Sequence, residues 1–553
     1  MSNGFFSLVL HAHLPFVRHP QRERGFEEDW LFEAITEVYL PLLAALSRLR
    51  AEGSQPRLAM SISPTLCEML SDQLLQTRYA RHLDNLLALA EKELARTFHD
   101  RPQFFPCAKM NFENLRAAKE LWEDVYARDL LRAFRNLQDV GALEIMTCAA
   151  THALLPLVST VEARRAQVQI AVANYRKHFG RAPRGIWLPE CAYAEGLETL
   201  LAEVEIEYFI ADSHAILLGE PRPRYGAHAP VRCPNGVAAF ARDMETSEQV
   251  WSSMVGYPGD AAYREFYRDL GWDAPLEYLL PHLQGDARRR PLGLKYHRVT
   301  GRDVALADKM PYDPEVAAAR ARTHASHFVE ERIKQAARLR EGLGGRAPIV
   351  VAPYDAELFG HWWFEGVQFI ECVLRLLHTR RAEIASVTPG DYIDGLNVLD
   401  ANAALQTQRL SASSWGEEGY YKVWLSPANA WLYPHQHAAE ARMTRLANRF
   451  AADATTSHPS SDLHLRALKQ CARELVLAQS SDWAFQIYQS TAADYAARRF
   501  RSHIARFDAL ARQLERDEID ETLLAEIEGR DNIFAEIDYQ YFRSAREAAR
   551  FGR

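Results

Sequence analysis

Short apolar runs rich in β-branched residues recur along roughly the first 400 positions, and longer stretches of helical period separate them. The runs predict strands over Phe5–Leu10, Arg57–Ser63, Leu143–Thr147, Gly185–Leu188, Tyr208–Ala211, Val237–Ala241 and Ile349–Ala352, with a weaker one over Glu383–Val387. Between them the pattern predicts helices such as Asp29–Arg50, which stops at Gly53, and Val161–Phe179, which Gly180 and Pro183 terminate. Strand and helix in alternation predict a parallel sheet, and seven or eight strands are a barrel-like number. Two stretches exceed what a crossover needs. Residues 65–140 read as a helical insertion, and residues 213–310, rich in Pro, Gly, Tyr and Arg, read as loops and short helices over one face. Beyond Ser414 the segments 427–452, 461–481, 490–516 and 519–549 have helical period and few strand signals, which divides the chain into a barrel unit, 1–412, and a C-terminal helical unit, 413–553.

Composition narrows the partners. Asp and Glu number 73 against 65 Lys and Arg, so nothing attracts polyanions in bulk, and nucleic acid is excluded as a partner. No apolar run approaches the roughly 20 residues that cross a bilayer, and the N-terminal apolar stretch lacks a basic flank and a cleavage site. A cytoplasmic protein without a membrane partner is the expectation. Seven cysteines without a C-x-x-C pair fit reduced thiols better than a disulfide frame or a thiolate zinc site. Eleven Trp and 22 Tyr supply the flat faces that sugars stack on.

Chemistry concentrates where strands end. His11 and His13 leave the first strand on one side, because strand side chains repeat every second residue. Such a pair can hold a metal ion, a sugar hydroxyl or a charged transition state, or simply pack. "RGIWLPECAY" (184–193) places Glu190 directly after a strand, with Trp187 and Tyr193 as walls, and "IVVAPYDAELFGHWWFEG" (349–366) places Asp355 likewise, with Trp362 and Trp363 close behind. Two strand-end carboxylates among aromatic residues suggest glycosidic chemistry, one protonating the leaving oxygen and the other attacking carbon or activating water. The structural alternative is that each acid caps a helix or decorates a loop.

These stretches, with "HAHLPFVRHP" (11–20), "GALEIMTCAATHALLPL" (141–157), "GVAAFARD" (236–243), "GYPGDAAYREFYRDLGWD" (256–273) and "SSWGEEGYYKVWL" (413–425), resemble glycoside hydrolase family 57, and within it the 1,4-α-glucan branching enzymes. The resemblance implies an α/β fold, a distorted (β/α)7 barrel with helical insertions and a C-terminal all-helical domain, acting on α-glucans (amylose, amylopectin, glycogen) by a retaining mechanism with no metal and no cofactor. It implies Glu190 as nucleophile and Asp355 as general acid/base. A retaining pair is expected about 5–5.5 Å apart. Asp355 must carry a proton, which a pocket walled by Tyr354 and nearby Trp residues would favour, and Glu190 must stay ionised, for which Arg242 is a candidate neighbour.

On this reading His11, His13 and His152 contact the glucose unit being cleaved, in preference to the metal and packing alternatives. A lid over 213–235 with Tyr225 at its tip is expected to limit water, since branching requires that an acceptor reach the intermediate first. Trp187 belongs to the wall of the pocket, Trp272, Trp415 and Trp424 are candidate platforms, with Trp30 a weaker one, and Asp482 in "QSSDWAF" (479–485) is a candidate contribution from the C-terminal helices. A monomer or small homo-oligomer is expected. The nearest other readings are an α-amylase or 4-α-glucanotransferase of the same family. More remote are a non-catalytic glucan-binding protein and a metal-dependent deacetylase or amidohydrolase.

Overall fold

A computed structural model describes residues 2–23, 25–252, 255–283, 287–399, 405–451 and 462–544. Its nine strands are β1 (Gly4–Ala12), β2 (Leu58–Ile62), β3 (Leu143–Cys148), β4 (Gly185–Trp187), β5 (Tyr208–Ala211), β6 (Val231–Arg232), β7 (Ala238–Ala241), β8 (Ile349–Asp355) and β9 (Ile384–Ser386). They form one curled sheet in the order β6-β7-β5-β4-β3-β2-β1-β8, with β9 beside the start of β1. All pairings are parallel except β6 with β7. The seven parallel strands β1–β5, β7 and β8 curl until the edges of the sheet meet. At the seam the Asp243 N–H donates to the Val351 carbonyl at 2.8 Å and the Ile349 N–H to the His228 carbonyl at 2.9 Å. Each predicted strand is present, and only the two-residue β6 escaped the pattern, being too short to show a period.

The strand alternation decides which side chains can meet. Val9, Ala59, Met146, Cys148, Trp187, Ile210, Phe240 and Val351 share the core inside the curl. Phe6, Leu8, Leu10, Met60, Ile145, Val350 and Ala352 share the core between the strands and the helices outside. Each such large side chain, once buried, contributes about 1.5–3 kcal/mol, so a one-residue slip of register is strongly disfavoured. His11 and Asp355 continue the inward series of β1 and β8, and the two strands place them side by side in the ladder.

Residues 64–139 are almost wholly helical, led by Gln73–Asp100 and Phe105–Glu120. Helix Val161–Phe179 ends, as its sequence indicates, on Gly180 in the left-handed conformation (φ 70°). The first long helix, Glu28–Ala51, contains a wide π turn at Ile35–Tyr39. By length and composition it could cross a membrane, yet 61% of its apolar window is buried within the fold. At the C-terminus helices span Leu432–Arg449, Asp462–Ala478, Ser481–Gln489 and Ala493–Arg516. The expected helix over 519–549 is corrected to Glu521–Arg530 plus a short 3-10 turn, Tyr539–Phe542, and residues 545–549 lie outside the described residues. The chain breaks there because buried Asp531 leaves the helix to accept a bond from Arg506 at 2.6 Å.

Candidate active site

β4 ends at Trp187, and Pro189 turns the chain into a short 3-10 segment in which Glu190 has φ 62°. A left-handed conformation at a non-glycine residue is strained and is kept only where its surroundings hold it. Here the segment 413–415 does so: the Trp415 N–H donates to the Glu190 carbonyl at 2.9 Å, and the Trp415 indole N–H donates to Glu190 Oε2 at 2.6 Å. Across the barrel mouth Asp355 closes β8. The Asp355 charge acts on Glu190 across the mouth, and both side chains are largely buried. Burial and Asp355 push Glu190 up to about 8, against the pull of the Trp415 bond. Burial pushes Asp355 up to about 6, against the pull of His13 and Arg242. Such groups titrate as a pair, so near neutral pH they share one proton.

The three histidines form one stack. His11 lies flat against Trp187, with ring centroids 4.8 Å apart, and His13 lies on His152 at 4.0 Å. The Nε2 atoms of His11 and His152 meet at 2.9 Å, and His152 Nδ1 meets the Ser481 hydroxyl at 2.8 Å and lies 3.9 Å from Glu190 Oε1. His13 Nδ1 meets the Ser63 hydroxyl at 2.8 Å, and its Nε2 meets Asp482 at 3.0 Å. Burial and then the neighbouring rings push His11 and His152 well below the usual imidazole range, which keeps both neutral. Burial would raise Asp482, but the His13 charge and hydrogen bond prevail and hold it at about 2. His11, Cys148 and His152, and likewise His13, His152 and Asp482, stand within reach of a common ion. The imidazole nitrogens are nevertheless already engaged with each other, with serines and with Asp482, leaving His11 Nδ1 without a partner.

The C-terminal helices thus build part of the site. Ser480 bridges to Ala153 through the backbone, and the Ser481 N–H donates to the His152 carbonyl at 3.1 Å. Ser63, Ser480, Ser481 and Glu357 were missed from sequence. Ser63 follows β2 and caps the next helix, so the strand-end rule applied to β2 would have found it. Glu357, two positions after Asp355, accepts the Tyr39 hydroxyl at 2.5 Å, and burial pushes it up to about 8.

Four expectations need correction. Tyr354 does not wall the pocket: it points out of the barrel, opposite to Asp355 on the same strand, and its hydroxyl donates to the Thr246 carbonyl at 2.9 Å. Arg242 does not hold Glu190. It donates to Asp212 at 3.2 Å and to Ser247 at 2.8 Å, lies over the Trp415 ring at 5.4 Å and acts on Asp355. Trp424 is core, 1% exposed among Leu432, Trp483 and Phe500. Tyr225 does not overhang the cleft. The Arg346 guanidinium covers its ring at 4.2 Å, and Arg346 precedes β8, at the end of the barrel opposite to Asp355. The loop is drawn down because the 405–411 segment captures it: Glu220 and Arg409 exchange backbone bonds of 2.8 Å, and Gln406 accepts the Arg224 N–H at 2.8 Å. Trp30 is half-buried edge-on to Tyr495, and Trp272 is 51% exposed on the short helix Leu270–Asp273. A cavity of about 560 Å³ lies beside the first helix, lined by Glu33, Glu37, Arg264 and Glu365, and neither Glu190 nor Asp355 borders it.

The model for glycosyl hydrolase family 57 matches residues 7–403. The chain belongs to that family. A second model, the C-terminal region of 1,4-alpha-glucan branching enzymes, matches residues 435–542. The chain is 35% identical to the 1,4-alpha-glucan branching enzyme of Thermococcus kodakarensis, over 96% of this chain and 77% of that one. The solved structure of that archaeal family 57 enzyme superposes with a TM-score of 0.86 over 98% of this chain and 97% of that one, at 34% identity. The alpha-amylase AmyC of Thermotoga maritima superposes with a TM-score of 0.89 over 98% and 99% of the two chains, at 42% identity. Both solved structures superpose over 98% of this chain, so the curled sheet, the helical insertion and the C-terminal helices recur together in them.

Proposed function

We propose that this chain is a 1,4-α-glucan branching enzyme that acts by retaining double displacement, with Glu190 as nucleophile and Asp355 as general acid/base. The observation that carries the reading is the placing of two largely buried carboxylates at one barrel mouth, Glu190 just past β4 and Asp355 at the end of β8, with the Asp355 charge acting on Glu190. In the first step the Asp355 proton passes to the departing 4-oxygen, the C1–O4 bond breaks and the Glu190 carboxylate bonds to C1. In the second, the 6-hydroxyl of another chain gives its proton to Asp355 and attacks C1, releasing Glu190 and leaving an α-1,6 bond. The Trp415 indole N–H stabilises the carboxylate form of Glu190, the form that attacks and the form that leaves. The reactive form of the pair has its proton on Asp355 and Glu190 ionised, the state of Glu190 that the Trp415 bond favours.

Linear and branched α-glucans, amylose, amylopectin and glycogen, are the substrates this reading names. It keeps the protein in the cytoplasm, as a monomer or small homo-oligomer without nucleic acid or membrane partners. Its seven cysteines are free, in keeping with a reducing compartment.

A second reading, hydrolysis, is favoured by the position of Tyr225, which leaves the cleft without the expected lid, and by the likeness to AmyC. Proton NMR of amylose incubated with the protein separates the two. Growth of α-1,6 anomeric signals well ahead of new reducing ends, absent in Glu190→Gln, supports branching, and reducing ends alone support hydrolysis.

A further inference from the structure

The loop that leaves Asp355 carries an aromatic ring that the chemistry above does not use. Trp362 lies seven positions after Asp355, and its backbone N–H donates to the Glu357 carbonyl at 3.2 Å, so the loop folds back beside the acid/base. Its indole lies almost parallel to Phe266, with centroids 4.2 Å and planes 23° apart. The Lys295 ammonium stands 3.9 Å from the centre of the Phe266 ring, so both faces of Phe266 are taken. Around this stack the loop is pinned. His361 meets Glu37 at 2.6 Å, and Gly360, at φ 107°, approaches the Glu37 carbonyl so closely that a Cβ would come within 2.0 Å of its oxygen. Only a residue without a Cβ permits that approach, which locks the loop onto the π turn of the first helix.

The result is a tryptophan that is fixed in place and yet 52% exposed. A large apolar ring held open to solvent gains when a flat apolar face covers it, and a fixed ring loses little freedom on binding. Trp415 touches Glu190, whereas Trp362 sits on the loop of Asp355, the group that meets the leaving oxygen and then the acceptor hydroxyl. We propose that the open face of Trp362 is a stacking platform for the glucan chain on the leaving-group and acceptor side of the catalytic pair. This rests on the α-glucan reading above and adds the residue that selects what occupies that side. The pyranose ring supplies the complementary surface, an apolar face of C–H groups bordered by hydroxyls.

The test starts from the Glu190→Gln protein, which binds without turning over. Maltohexaose titrated into it, followed by calorimetry and tryptophan fluorescence, is expected to bind roughly five- to tenfold more weakly when Trp362→Ala is added. Trp362→Phe in the same background is expected to recover most of the loss, because a ring remains on Phe266. Equal affinity in Glu190→Gln with and without Trp362→Ala overturns the proposal, as does a loss that Trp362→Phe shares in full. In the protein with Glu190 intact, Trp362→Ala is expected to lower the ratio of α-1,6 bonds to new reducing ends several-fold, and an unchanged ratio counts against the platform. If that protein makes reducing ends alone, the branching reading fails, while the titration still decides whether Trp362 holds the chain.

Discussion

Two loops leave strands of the same barrel and finish at opposite ends of it. The one after β8 stays at the mouth, because Trp362 and Trp363 donate their N–H groups to the carbonyls of Glu357 and Leu358 and the turn closes on itself. The one after β5 runs down the wall to Arg346, because its N–H and C=O groups pair with residues 405–411. The first is rich in aromatic residues and reads in sequence as the surroundings of Asp355, and the second is rich in Pro and Gly and reads as a lid with Tyr225 at its tip. What separates them is where each finds partners for its backbone, since buried peptide groups are almost never left unpaired.

That contrast makes unequal demands on the residues involved. The largest effects belong to the carboxylates: Glu190→Gln is expected to lower kcat by about 10³-fold or more and Asp355→Asn by about 10²- to 10⁴-fold. An α-glucosyl fluoride donor, whose leaving group needs no proton, should restore the first step to Asp355→Asn and not to Glu190→Gln; rescue of Glu190→Gln and not of Asp355→Asn would reverse the assigned roles. Trp415→Phe keeps the ring and removes the N–H bonded to Glu190, and a loss of about 10- to 10²-fold in kcat is expected, by analogy with the loss of one placed donor. An unchanged kcat would make that hydrogen bond incidental.

The pair also sets a pH window. Below about 6 a second proton neutralises the nucleophile, and above about 8 none remains for the leaving oxygen, so kcat/KM should fall tenfold per unit outside both limits. A profile flat from pH 5 to 9 would contradict the coupling. The smallest effect is reserved for the displaced loop: Tyr225→Ala should change the ratio of α-1,6 bonds to reducing ends less than about twofold, because its ring lies under Arg346 and away from the mouth. A tenfold fall would mean that the loop leaves the wall during turnover.

Much of this molecule is legible in its sequence where the signal is periodic and local. The eight predicted strands, the stop at Gly180 and the inward placement of His11, Glu190 and Asp355 follow from a two-residue period, from strand ends and from residues that end helices. The strain at Glu190, the joining of His13 to Asp482 across 469 positions and the engagement of Trp415 with the nucleophile are not of that kind. They depend on which distant segments dock, and a single local pattern is compatible with many dockings. Tyr354 and Tyr225 show both sides of this limit. The strand period already excluded Tyr354 from the side of Asp355, whereas no local pattern tells a loop over the mouth from one along the wall. The amino-acid order by itself determined the strands, the helices and the chemical type of the site. Only the tertiary structure decided which histidine meets which serine or carboxylate, which tryptophan is core and which is open, and where the long loop ends, because hydrogen-bond partners and burial are properties of the assembled fold.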